Sequence, residues 1–215
     1  MSLRLSERKI LLFLGDVIAV GTALLIVLAL RFALPLSGRT VIAHPTWFGL
    51  LIGLVAAVHF LSFIASLYFT SVAHSLTLVY TAPLFIAALS RAVLHEPLPR
   101  RALLGMAMGL LGVAVLAGFE PRLTGAMVLG DLLAVGAALA FALYSLFGRR
   151  ERARLPLLAY ASWVYLTAGV ATAPFALGVL ARPVSGRALA AVLAMALFPH
   201  ALGHTLYNAA VLQHQ

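Results

Sequence analysis

The sequence predicts an all-α, polytopic membrane protein with about seven transmembrane helices. Three observations carry that prediction. Of 215 residues, 63% are hydrophobic and only 10% are charged, with a mean hydropathy of +1.07; a water-soluble domain carries roughly a quarter charged residues. Apolar runs recur at the length of about 20 residues that a helix needs to cross the bilayer core. The runs are rich in Ala and Leu and lack the period-two alternation of barrel strands.

In chain order the expected spans are Ile10–Leu30, Trp47–Thr70, Val72–Ala92, Ala102–Phe119, Met127–Phe147, Leu157–Leu180 and Ala188–Leu212. The first follows Arg4, Arg8 and Lys9. It is longer than a signal-peptide core and has no small-residue cleavage site after it. A tight turn at Ser71 joins the second span to the third. Between the third and fourth lies "LHEPLPRR" (Leu94–Arg101), where Pro97 and Pro99 remove backbone donors and stop helix propagation. This reads as a hairpin held at the anionic leaflet by Arg91, Arg100 and Arg101, with Glu96 neutralising one of them or facing the next helix's positive end. The fourth span contains "GMAMGLLG", in which Gly105, Gly109 and Gly112 favour close helix approach. The fifth has an Ala-rich face and begins near Asp131, expected as an N-terminal cap.

Charge fixes an orientation. The loops after the first, third and fifth spans hold nine Lys and Arg, against six on the other side. Short positively charged loops stay in the cytoplasm, so "LHEPLPRR" and "RRERAR" are expected there, although the basic N-terminal tail weighs the other way. The net charge of +9 is spread over these loops and forms no soluble basic face, which argues against a nucleic-acid partner. With no cysteine, disulfides, thiolate metal sites and cysteine nucleophiles are excluded. No phosphate-cradling G-x-x-x-x-G-K-[ST] occurs, so the chain has no ATP-driven pump of its own.

Two segments, "ASLYFTSV" (65–72) and "HTLYNAAV" (204–211), share Leu-Tyr and a following Val at an offset of 139 residues. Shifting the spans by that offset gives a repeat unit of five helices, one missing at the front and two at the back. Five is odd, so successive copies insert with inverted topology. "VYTAPLFIAALSRAVLHEPLPRRALLGMAMGLLGVAVLAG" (Val79–Gly118) resembles the end of the first repeat of EamA-type members of the drug/metabolite transporter superfamily. "LGDLLAVGAALAFALYSLFGRR" resembles the helix opening their second repeat, and "ALGHTLYNAAV" its third helix. The opening "SERKILLFLGDVIAVGTALLIVLALRF" is more similar to the membrane helix of polyprenyl glycosylphosphotransferases. The resemblance implies ten helices in two inverted repeats, of which this chain supplies the counterparts of helices two to eight. The expected organisation is residues 1–46 as tail and atypical first helix, 47–122 as the remainder of the first repeat, and 123–215 as a truncated second repeat.

Polar groups inside spans mark where substrate chemistry belongs, because lipid leaves them unsatisfied unless they face a cavity or each other. In the second span, His59, Ser62 and Ser66 fall at i, i+3 and i+7, on one face. In the third, "YTAP" places Tyr80 beside Pro83, whose missing N–H frees a carbonyl and bends the helix; a static kink is the competing reading. Tyr144 and Ser145 lie late in the fifth span, where an interfacial aromatic belt is the alternative. His200, His204, Tyr207 and Asn208 form a stripe in the seventh, the first choice for substrate contact against helix–helix hydrogen bonding. The expected substrate-binding set is therefore His59, Ser62, Tyr80, Pro83, Tyr144, His200, His204, Tyr207 and Asn208. His200 and His204 have the i, i+4 spacing of a metal pair but lack a nearby carboxylate, so no metal and no cofactor is expected. Asp16, about a turn and a half into the first span, is the remaining ionisable group there.

The resulting expectation is a secondary transporter, exporter or permease, of small organic metabolites. It would work by alternating access in a bacterial inner (cytoplasmic) membrane, without catalytic residues. A second copy or a partner chain would supply missing helices. The alternative is a non-transporting membrane fragment or anchor that needs a partner. A sugar-phosphate transferase, suggested only by the first thirty residues, would need an acidic cytosolic domain that six scattered acids do not provide.

Overall fold

The computed structural model describes residues 47–117, 124–180, 196–210 and the isolated positions 186, 190 and 194. The expected first span, Asp16 and the basic N-terminal tail lie outside the described residues. Among the described residues every regular element is helical: α1 Trp47–Phe69, α2 Val72–Val79, α3 Ala82–Leu94, α4 Arg100–Ala117, α5 Gly125–Arg152, α6 Leu157–Leu180, a π-helix Ala196–Gly203 and α7 His204–Ala210. Among these residues, Trp47–Phe69, Val72–Leu94 and Gly125–Arg152 are long and apolar enough to cross a membrane.

The helix ends follow from local chemistry. Ser71 caps α2, its hydroxyl accepting the His74 N–H at 3.2 Å. α3 closes on His95, which is left-handed at φ 56° and returns its N–H to the Ser90 carbonyl. Pro97 and Pro99 follow, and the Pro99 carbonyl accepts the Ala102 N–H as α4 begins. α4 thus starts at Arg100, two residues earlier than the apolar run, because an arginine in the first turn still propagates helix. α5 is longer than its apolar run at both ends. Thr124 supplies the cap, its hydroxyl accepting the Met127 N–H at 3.2 Å. Asp131 is the seventh helical residue and does not cap. At the far end Arg149, Arg150 and Arg152 sit in the last turn, where cations complement the helix dipole. Pro156 then separates α5 from α6.

The chain divides into two compact units, Val58–Leu146 and Phe147–Gln215 with Met1–Ala57. In the first, Ala134, Ala137, Ala138 and Ala142 of α5 are completely buried, and Gly130 lets the Thr70 backbone approach so closely that a Cβ would stand 2.9 Å from its nitrogen. In the second, Gly53 meets Thr167 and the Val164 carbonyl, and Gly148 lies under the Tyr160 hydroxyl. The stripe in α4 behaves otherwise. Gly105, Gly109 and Gly112 face open space, so the close helix approach expected there is absent among the described residues. The outward surface of α4 is apolar, with Leu104, Met108, Leu111 and Val115 all 65% exposed or more. Water would not tolerate so continuous a face; hydrocarbon does.

Candidate functional site

The third apolar run, one span by sequence, forms two helices. α2 ends at Val79, Tyr80 and Thr81 keep right-handed helical backbone angles in a tighter turn, and α3 begins at Ala82 with Pro83 in its first turn. Pro83 has no N–H to offer the Val79 carbonyl, and its ring clashes with that position in a continuous helix. The chain responds with a tighter turn: Thr81 N–H bonds the Leu78 carbonyl at 3.1 Å, and the Thr81 hydroxyl donates to the same oxygen at 2.6 Å. Tyr80 lies eight residues, about 12 Å, along an apolar segment of about 33 Å, so the break falls about a third of the way along it. Beside it is a cavity of about 470 Å³ between the break and α4. Tyr80 and Pro83 line one wall, Gly105, Met106 and Gly109 the other. The glycines that meet no neighbouring helix thus make room.

Elsewhere in the same unit, His59 is buried and donates from Nδ1 to the Ala137 carbonyl of α5 at 2.8 Å. Its ring lies 5.2 Å from Phe141, and Phe141 lies 5.8 Å from Tyr144. The structure therefore groups His59 and Tyr144 around one phenyl ring. Tyr144 is only 3% exposed, which removes it from a lipid-facing aromatic belt. Ser62 is half-buried on α1, a turn from His59. Ser66 is fully buried: the Ser75 hydroxyl of α2 donates to Ser66 Oγ at 2.5 Å, and Ser66 donates to the Phe63 carbonyl at 2.6 Å. This face of α1 is a seam of helix–helix hydrogen bonds.

The other unit holds the remaining predicted positions. His200 lies in the π-helix, its side chain outside the described set; His204 opens α7, and Tyr207 and Asn208 follow. The wider turns of a π-helix shift the angular phase from His200 to His204, so the stripe is not the one a continuous α-helix would draw. Asn208 is buried, its backbone carbonyl accepting from Arg152 Nε at 3.4 Å, with Tyr165 beside it. Arg152 also donates to the Leu155 carbonyl at 2.9 Å, so this cation ties the end of α5 to α7.

Sequence reasoning missed one polar pair. His74 Nδ1 lies 2.8 Å from Asp131 Oδ1 and 3.2 Å from the Thr70 hydroxyl. The partners are 57 residues apart, and nothing local signals that they meet. Among the described residues, no three His, Asp or Glu side chains are grouped to hold a metal ion.

Comparison with known proteins agrees with this architecture. A crystal structure of a protein 23% identical over 94% of this chain and 69% of its own superposes with a TM-score of 0.69, a likeness of fold. No curated protein matches. The family model of the EamA-like transporter family matches residues 2–118 and 128–213, and so takes in the atypical opening segment as well. With nearly the whole sequence matched and an all-helical, membrane-spanning architecture, the chain belongs to the EamA-like transporter family.

Proposed function

We propose that the protein is a secondary transporter of small organic metabolites whose substrate enters the cavity at the Tyr80–Thr81 break. The observation that carries this reading is the interrupted helix. A proline-set tight turn disturbs the regular hydrogen-bond ladder, which a span tolerates where neighbouring groups or a cavity accommodate it, and discontinuous helices are the usual site-builders of secondary transporters. The lining of Leu84, Ala102, Met106, Leu110 and Val113 favours a substrate with an apolar body, and the Tyr80 hydroxyl offers it a polar handle. The two family-matched stretches, 2–118 and 128–213, are read as the two inverted repeats, rocking against each other to give alternating access. Residues 1–46 and 47–122 are assigned to the first of these repeats and 123–215 to the second. The membrane is the bacterial inner membrane, with "LHEPLPRR" and "RRERAR" on its cytoplasmic side.

His59, Ser62 and Tyr144 form a second polar lining, and His200, His204, Tyr207 and Asn208 a third beside the π-helix, a rare element that concentrates at functional sites.

The test is uptake of a metabolite panel into proteoliposomes of the purified protein. Gly109→Leu, whose Cβ would have no neighbour within 4 Å, puts its side chain into the cavity and is expected to cut uptake at least tenfold while the protein stays monodisperse in detergent. Tyr80→Ala is expected to raise KM. Uptake unchanged in Gly109→Leu removes the cavity as the site, and no uptake of any metabolite removes the transport reading.

A further inference from the structure

We propose that His74 and Asp131 form a proton-binding site, and that its occupancy controls the mobility of α2 and hence the broken-helix cavity. The inference rests on the transport reading above, but the site is separate from the cavity. His74 is the third residue of α2, and Asp131 lies about 9 Å into α5. Their side chains are 29% and 22% exposed, so the pair is partly covered and neither group is sealed inside the bundle.

The proton balance follows from the geometry. With Asp131 ionised, the 2.8 Å contact requires Nδ1 of His74 to carry hydrogen and donate to Oδ1. Nε2 is then the nitrogen that takes the added proton. Protonated, the pair is an imidazolium against a carboxylate, neutral in sum and joined by a charge-assisted bond. After release to water, a neutral imidazole faces a carboxylate whose charge is no longer matched. The groups that meet the pair from each packed element are few. The bend after α1 contributes the Thr70 hydroxyl at 3.2 Å. α2 contributes Ser71, whose hydroxyl is held by the His74 N–H. α4, which packs on α2, carries ionisable side chains only at Arg100 and Arg101, at the end remote from the Ser71 turn. No other charge among these residues competes for Asp131.

The link to the cavity is mechanical. α2 has eight residues and meets α3 at the tight Tyr80–Thr81 turn, where the bonding changes from i→i−4 at Tyr80 to i→i−3 at Thr81, a point about which it can bend as a short rigid piece. Its holds near the Ser71 end are the His74–Asp131 pair and the Ser75–Ser66 bond. Proton loading strengthens the first and clamps α2 to α5. Proton release weakens it and lets the Tyr80 wall move, which couples a proton gradient to the cavity.

The cysteine-free chain permits the test without knowledge of the substrate. Spin labels on Val72→Cys and Leu132→Cys, both exposed, report the distance between α2 and α5 in proteoliposomes. A single short distance is expected at pH 5.5. At pH 8 a second, longer distance is expected to appear. In His74→Gln and Asp131→Asn the distribution is expected to be independent of pH. Nitrogen chemical shifts of histidine-labelled protein locate the proton, His74→Gln identifying the signal. A distance distribution that does not change with pH in the otherwise unmodified protein overturns the proposal even if the variants fail to fold. So does pH dependence that persists in both variants. If the pair titrates and α2 moves but no metabolite is taken up, the transport reading fails and the proton site stands. If uptake occurs with α2 fixed, the reverse holds.

Discussion

At the scale of single residues, the glycines divide into two kinds that sequence does not distinguish. Gly53 and Gly130 stand where a Cβ would come within 2.6 Å of Thr167 and 2.9 Å of the Thr70 backbone. Backbone yields less readily than a flexible side chain, so Gly130→Ala must push α5 away from the end of α1. Overpacking of this kind costs about 1–3 kcal/mol. Gly112 faces open space within a helix, and Gly112→Ala is expected to stabilise by about 0.5–1 kcal/mol through the lower entropy of the unfolded chain. Thermal unfolding in detergent checks both: the melting temperature falls for Gly53→Ala and Gly130→Ala and rises or holds for Gly112→Ala. Equal losses at all three would mean that α4 is covered where the structure leaves it open.

At the scale of elements, the interrupted span is the feature from which the site grows. Pro83 occupies the first turn of α3, a position that tolerates proline because its missing N–H would have no partner there. Within a continuous helix the same residue would cost about 3 kcal/mol. Pro83→Ala removes that barrier, and α2 and α3 are expected to merge. Circular dichroism should gain helix, the melting temperature should rise, and uptake should fall severalfold as the Tyr80 wall straightens. A variant with more helix and undiminished uptake would separate the break from transport. This element was partly legible: "YTAP" gave the bend, since a proline's effect is local. The bounds of the second and sixth runs were legible too, Trp47–Phe69 and Leu157–Leu180 matching them to within a residue, because bilayer thickness sets the length of an apolar run whatever the partners. The His74–Asp131 pair was not, because it depends on which helices adjoin. Asp131 looked like a cap only because the apolar run concealed the helix start at Gly125, with Thr124 capping it. The α4 glycines suggested packing, yet small residues permit close approach without requiring a neighbour. The π-helix left no signal beyond Pro199.

At the scale of the whole molecule, the exposed apolar surface and the short charged loops together imply one topology. Val72–Leu94 makes one crossing between Val72 and Leu98. α4 and α5 are expected to make two between Leu98 and Ala153. Leu98 and Ala153 must therefore share a side, and Val72 must lie on the other, whatever the absolute orientation. Positively charged short loops stay in the cytoplasm, which predicts the inner face for Leu98, flanked by Arg91, Arg100 and Arg101, and for Ala153, flanked by Arg149, Arg150, Arg152 and Arg154. Because the chain contains no cysteine, single substitutions Val72→Cys, Leu98→Cys and Ala153→Cys can be read with a membrane-impermeant thiol reagent in intact cells. Val72→Cys is expected to label at once. Leu98→Cys and Ala153→Cys are expected to label only after the membrane is opened. Reversal of all three would keep the fold and invert the orientation, while labelling of Leu98 and Ala153 from opposite faces would mean that α4 and α5 do not both span the bilayer.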